Sequence, residues 1–286
     1  MIAPDGPKAG AIWPRLRGCG QDEEPGRPKR PVGRGYDRTM DEVLGLAVAF
    51  FGAALLYASV GHAGASGYLA AMGLLGVAPA TMKPTGLALN ILVASIVTIR
   101  FGLAGHVRWG ALLPFLVGSI PMAFVGGALV LPGALYKPLV GMVLLIAAVR
   151  LFQTARAAGA AEGRETAIPA IPAVIAGAGI GLLSGLTGTG GGIFLTPLIL
   201  FAGWAPARVA AGISAAFILA NSSAGLLGNV ASIGSLPAAL PIWLIAVAIG
   251  GSIGAELGAR RLGTPALRRV LALVLVVAGL KLIFLG

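Results

Sequence analysis

From residue 43 to the end, long apolar runs alternate with short polar or glycine-rich breaks. The runs fall near 43–60, 68–78, 84–101, 109–131 and 136–152, then near 169–186, 193–204, 207–228, 237–258 and 266–285. Crossing about 30 Å of hydrocarbon takes a helix of roughly 17–25 apolar residues. Eight runs reach that length. The two short ones, 68–78 and 193–204, do not, and each follows a glycine-rich turn and ends before a proline-containing loop. The pattern predicts an all-α, polytopic helical membrane protein in which each set of five runs holds one short, broken or re-entrant helix.

The two sets match as text, the mark of an internal repeat. Gly61-His-Ala-Gly-Ala-Ser-Gly67 aligns with Gly185-Leu-Thr-Gly-Thr-Gly-Gly191, and Val77-Ala-Pro-Ala80 with Trp204-Ala-Pro-Ala207. Gly126 answers Gly254, and Arg150 answers Lys281. The expected organisation is a polar N-terminal tail over 1–40, a first membrane repeat over 41–152, a linker over 153–168 and a second repeat over 169–286. The tail is rich in Pro, Gly and Arg and has no apolar core of a signal peptide. It reads as disordered, and Met40, just before the first run, reads as an alternative start.

Composition strengthens the membrane reading. The chain of 286 residues is 57% hydrophobic and 11% charged, against about 25% charged in soluble domains. Outside the tail only 13 basic and 5 acidic residues remain, too few to coat a soluble fold of that size. The net charge of +11 is no sign of nucleic acid, because the basic residues sit at the ends of apolar runs rather than in a stripe with aromatics. Cys19 is the sole cysteine, which excludes an internal disulfide or a thiolate cluster. With only His62 and His106, no metal site and no cofactor are expected.

Loop charge sets an expected topology. In the first half, Arg100 and Arg108 flank the loop between the third and fourth runs, and Arg150, Arg156 and Arg164 surround the linker. In the second half the bias moves one loop on, to Arg260, Arg261, Arg268 and Arg269. Inverted halves, each crossing an odd number of times from an outer start, place these nine and Arg208 in the cytoplasm and leave Lys83 and Lys137 outside.

Candidate chemistry lies in the polar features at membrane depth. Irregular backbone there must line a cavity or be buried in protein. A turn such as Gly188-Thr-Gly-Gly-Gly192 running into a helix gathers N–H groups at the positive end of a helix dipole, which suits an anion. Broken helices meeting near the midplane are a transporter device. The expected substrate-binding set is therefore Gly64, Ser66 and Gly67 in the first turn, and Thr187, Gly188, Thr189, Gly190, Gly191 and Gly192 in the second. Thr85 and Asn90 join from the third run and Asn221 and Ser222 from the eighth. Lys83 and Arg208 are expected as charges at the mouths of the pathway. Close packing of helices on small residues is the competing reading of the glycines.

Two residues carry rival roles. Glu256 is the only acid inside a long apolar run. Arg260, four residues on, is its expected partner, with proton coupling as the alternative. Gly64-Ala-Ser-Gly67 is similar to the serine motif of rhomboid intramembrane proteases, with His106 as a conceivable base. The text match sets Gly190 opposite Ser66, so a nucleophile explains one turn and a backbone role explains both.

Taken together, Ser59-Val-Gly-His-Ala-Gly-Ala-Ser-Gly-Tyr68, Met82-Lys-Pro-Thr-Gly86, Leu89-Asn90, Arg100-Phe101 and Ser184-Gly-Leu-Thr-Gly-Thr-Gly-Gly-Gly192 with Pro197 resemble the sulfite exporter TauE/SafE family, also called the toluene sulfonate uptake permeases. The resemblance covers about 45–285 and implies a multi-pass protein of the bacterial inner membrane. It implies movement of sulfite, a sulfonate or another sulfur-containing organic anion by alternating access. The implied partners are a small anionic substrate, the lipid bilayer and a coupling proton or cation. The first turn departs from the family's commoner triple glycine at Ala65-Ser66. A permease for a different small anion or organic solute is the alternative.

Overall fold

The computed structural model describes residues 39–156, 168–230, 236–260 and 265–284. Among these the regular structure is helical: α1 (Met40–Ala58), α2 (Ala65–Leu74), α3 (Pro79–Leu103), α4 (Trp109–Ala128), α5 (Gly133–Arg156), α6 (Ala170–Thr187), α7 (Gly192–Phe201), α8 (Ala207–Gly228), α9 (Leu240–Arg260) and α10 (Pro265–Phe284). Ten apolar runs have become ten helices. Among the described residues seven are long and apolar enough to cross a membrane; α2 and α7 are 10 residues each. The tail and most of the expected linker lie outside the described residues.

The ends of the short helices show why they are short. Each starts on a glycine with left-handed backbone, Gly64 (φ 103°) before α2 and Gly191 (φ 79°) before α7. Each is followed by another, Gly76 (φ 67°) and Gly203 (φ 66°), which other residues adopt only at a steric cost. Pro79 and Pro206 then open the next helices. Gly61 and Gly188, both with positive φ, complete the correspondence. Paired by these glycines, Gly61 answers Gly188 and Gly64 answers Gly191, three residues away from the text alignment. The position opposite Ser66 is then Ile193, not Gly190.

Packing orders the helices. On α4 and α6, a methyl at Gly118 would strike the Val174 backbone and one at Gly126 the backbone near Leu182, so the two helices run parallel on small residues. On α1 and α9, Gly250, Gly254 and Gly258 meet Phe51, Leu55 and Ser59 in the same sense. A glycine without a methyl lets backbones touch, which is how helices gain dispersion contacts where lipid supplies no hydrophobic drive.

One end of the bundle gathers arginines. Arg100 pairs with Glu256, His106 lies beside Arg208, Gly212 of α8 meets the His106 backbone, and Arg150 stacks 5.5 Å over the Phe201 ring. The start of α3, the end of α4 and the end of α8 lie at the opposite end, where a methyl at Gly228 would strike the Phe124 backbone. Given these positions, α6 and α7 leave from and return to the arginine end, whereas α1 and α2 leave from and return to the other. Each short helix is the returning arm of a helical hairpin.

Glu256 has a partner that spacing along its own helix does not suggest. Its carboxylate Oε2 lies 3.2 Å from Arg100 Nη1. The packing of α9 on α3 brings a partner from another helix; the Arg260 side chain lies outside the described residues.

Candidate functional site

The second turn sits at the heart of the bundle, between α3 and α8. Its backbone bends through Gly188, Gly190 and Gly191, all with positive φ. A Cβ at Gly190 would stand 2.6 Å from Asn90 Nδ2, 2.8 Å from Ile218 Cγ2 and 3.0 Å from Ser222 Oγ. Gly190, Asn90 and Ser222 are thus brought together, and Asn90 Nδ2 donates a long bond of 3.4 Å to Ser222 Oγ. Gly188 lies against the Lys83 backbone, and Gly86 faces the Gly188 carbonyl.

The turn offers donors. The N–H groups of Gly190, Gly191, Gly192 and Ile193 have no backbone carbonyl partner among the described residues; the ladder resumes at Phe194 and Leu195, which donate to Gly191 O. Unpaired N–H groups at the start of a helix are the elements of an anion site. Nearby polar atoms also have unused capacity. Thr85 Oγ1, Asn90 Oδ1, Asn221 Oδ1 and Ser184 Oγ are buried without a partner among the described residues. Leaving such a group unmet costs about 1–3 kcal/mol.

Other expected residues are occupied elsewhere. Thr187 Oγ1 donates to Leu183 O at 2.7 Å. Its single proton is spent, so across the 3.0 Å contact Thr189 donates to Thr187. Asn221 Nδ2 donates back to Phe217 O at 2.9 Å. In the first turn, Ser66 Oγ donates to the Tyr57 hydroxyl at 2.6 Å, and a Cβ at Gly67 would meet Ala53 and Tyr57 of α1. Gly64 faces the Tyr68 hydroxyl, which itself donates to Ala63 O. Ser66 and Gly67 therefore pack into α1 rather than against the second turn. A serine nucleophile needs a base at its oxygen, and Ser66 has a tyrosine there, while His106 lies in the loop at the arginine end.

The residue of the first turn that reaches the second is His62, absent from the expected set. Its Nε2 lies 3.1 Å from Gly192 O and 3.1 Å from Thr196 Oγ1. Thr196 Oγ1 gives its proton to Ser214 Oγ at 2.6 Å, so toward His62 it can only accept. The carbonyl also only accepts, so His62 Nε2 carries a proton. The sequence signal was present: His62 is the one ionisable side chain in either turn, and such residues at membrane depth are functional by default.

Lys83 and Arg208 stand at opposite ends. Lys83 is buried rather than open at a mouth. Its ammonium donates to Gly126 O (3.0 Å), Gly127 O (2.8 Å) and Leu129 O (3.0 Å). These are terminal carbonyls of α4, where the helix dipole is negative. Arg208, at the start of α8, neighbours His106, whose pKa is lowered by burial and by the Arg208 charge. No group of three or more His, Cys, Asp or Glu able to hold a metal occurs among the described residues.

This arrangement, apolar helices long enough to span with glycine-rich breaks meeting a polar centre, is that of a multi-pass membrane protein. The chain belongs to the sulfite exporter TauE/SafE family, whose description matches residues 46–282. It is 47% identical over 247 residues to a "Probable membrane transporter protein y4hK" of Sinorhizobium fredii, covering 85% of this chain and 99% of that protein. No solved structure matches the chain.

Proposed function

We propose that this membrane transporter carries a small anion, sulfite or a sulfonate, by alternating access, with the anion held at the Gly188–Gly192 turn. The observation that carries the reading is the set of four N–H groups from Gly190 to Ile193 without backbone carbonyl partners among the described residues, in a turn whose Gly190 lies against Asn90 and Ser222. Donors fixed in place and shielded from water stabilise charge far better than solvated ones. Thr85 and Asn221 complete the polar surroundings, and His62 links the site to the first turn.

The two hairpins, α1–α2 hanging from one end and α6–α7 from the other, support an inverted-repeat mechanism. In it one repeat rocks against the other around a fixed site. The exchange of partners, α4 alongside α6 and α9 alongside α1, supports the same reading. The arginine end is then cytoplasmic. Ser66, turned toward Tyr57, has a packing role in this scheme, and no bond-breaking chemistry is assigned to it.

The test is flux in proteoliposomes holding the purified chain, with sulfite, thiosulfate, an alkylsulfonate, acetate and phosphate compared at equal gradients. Saturable movement of sulfur anions over the others is expected. Equal rates for acetate and sulfite would replace the sulfur reading with a general anion permease.

A further inference from the structure

A cavity lies at the end opposite the arginines. Partly open, it holds about 280 Å³ between Pro79 and Lys83 of α3, Leu131 of the α4–α5 connection, Tyr136 of α5, Leu186 of α6 and Asn229 after α8. Its walls are largely apolar, with two polar features. Asn229 is 4% exposed, and its Nδ2 has no hydrogen-bond partner among the described residues. Lys83 is 7% exposed, with its three protons given to the end of α4. Tyr136 forms the wall shared with the second turn, for its hydroxyl donates to Thr187 O at 3.0 Å.

A buried amide donor without a partner is costly in a site that nothing enters. A fixed ammonium beside it, in a medium of low dielectric, sets the sign of what would enter. The apolar walls set the rest: a bare, strongly hydrated oxyanion would lose its water there for a single donor, whereas an anion with an apolar body keeps the gain of burying that body.

We infer that this cavity is an outer binding site for a small organic anion with an apolar body, its charged head at the Asn229 amide and balanced by Lys83. It is separate from the central turn. It rests on the anion-transport reading only for its place on the path, one step outside Tyr136 and Thr187.

Leu131→Cys, at the cavity wall with Asn229 intact, in a Cys19→Ala background tests the site in detergent-purified full-length chain. The rates of modification by an anionic sulfonatoethyl and a cationic trimethylammonium-ethyl methanethiosulfonate are compared, each divided by its rate with free cysteine. The anionic reagent should react on the order of tenfold faster. Benzoate should slow the reaction, and its neutral isostere benzamide should not. Lys83→Gln should erase the preference for the anionic reagent. The inference is overturned if the thiol does not react, if the cationic reagent keeps pace, or if benzoate fails to protect or protects no better than benzamide. These rates are read in the Leu131→Cys protein even if the Lys83 variant fails to fold. They do not depend on sulfite flux, so failure of the central site and failure of this one are distinguishable.

Discussion

His62 Nε2 and the carbonyl oxygen of Gly192 lie 3.1 Å apart, joining the first glycine-rich turn to the start of α7. If the two hairpins move against each other during transport, this contact lies where they meet. His62→Ala should cut sulfite flux by tenfold or more, while thermal stability falls by only about 1 kcal/mol, the worth of one net hydrogen bond. His62→Gln, which can still donate, should recover part of the flux. Wild-type flux in His62→Ala would remove the contact from the mechanism.

Lys83 acts as a cap on α4. A buried ammonium giving three bonds to terminal carbonyls contributes to folding, so Lys83→Met should lower stability by about 2–4 kcal/mol. A charge that only attracted anions to a mouth would instead raise KM in a salt-dependent way with unfolding unchanged. Thermal unfolding in detergent, beside flux at two ionic strengths, separates the two.

His106 gives a pH dependence outside the membrane spans. Its pKa is lowered by burial and by Arg208, so the folded chain holds less proton than the unfolded chain just below the ordinary histidine range. Stability therefore rises with pH through that window and is lost as pH falls below about 6.5. Between pH 7.5 and 5.5 the melting temperature of the wild type should fall more than that of His106→Gln. Equal falls would deny His106 this role.

Topology can be read directly. On a Cys19→Ala background, Arg164→Cys should react with an impermeant thiol reagent only from the cytoplasm and Lys137→Cys only from outside. Reaction from one side for both would overturn the assignment of the arginine end.

Much of the architecture was legible because a membrane leaves a chain few choices. Run length alone separated α2 and α7 from the spanning helices, and the glycine-proline punctuation marked their ends. The register between the turns was not legible: a run such as Gly188-Thr-Gly-Gly-Gly192 offers several alignments, and only the backbone shows that Gly61 answers Gly188. Partners distant in sequence were hidden for the same reason. Arg100 reaches Glu256 only through the packing of α3 on α9, which no spacing along one helix announces. Lys83 looked like a surface charge because the end of α4 that it caps lies more than forty residues away. Asn90, Ser222 and Gly190 were named as separate candidates, and the crossing of α3 and α8 over the turn brings them together.

The central claim, that the anion sits on the second turn, is tested most directly by sulfite flux through Gly190→Ala in proteoliposomes. The added methyl demands a positive φ of an alanine and would press on Asn90 Nδ2 and Ser222 Oγ, at 2.6 and 3.0 Å. Flux should fall at least tenfold in protein that inserts and purifies like the wild type, and the stabilisation of wild type by sulfite, about 2.7 kcal/mol at a hundredfold excess over Kd, should vanish. Wild-type flux together with an undiminished sulfite shift in Gly190→Ala would contradict it.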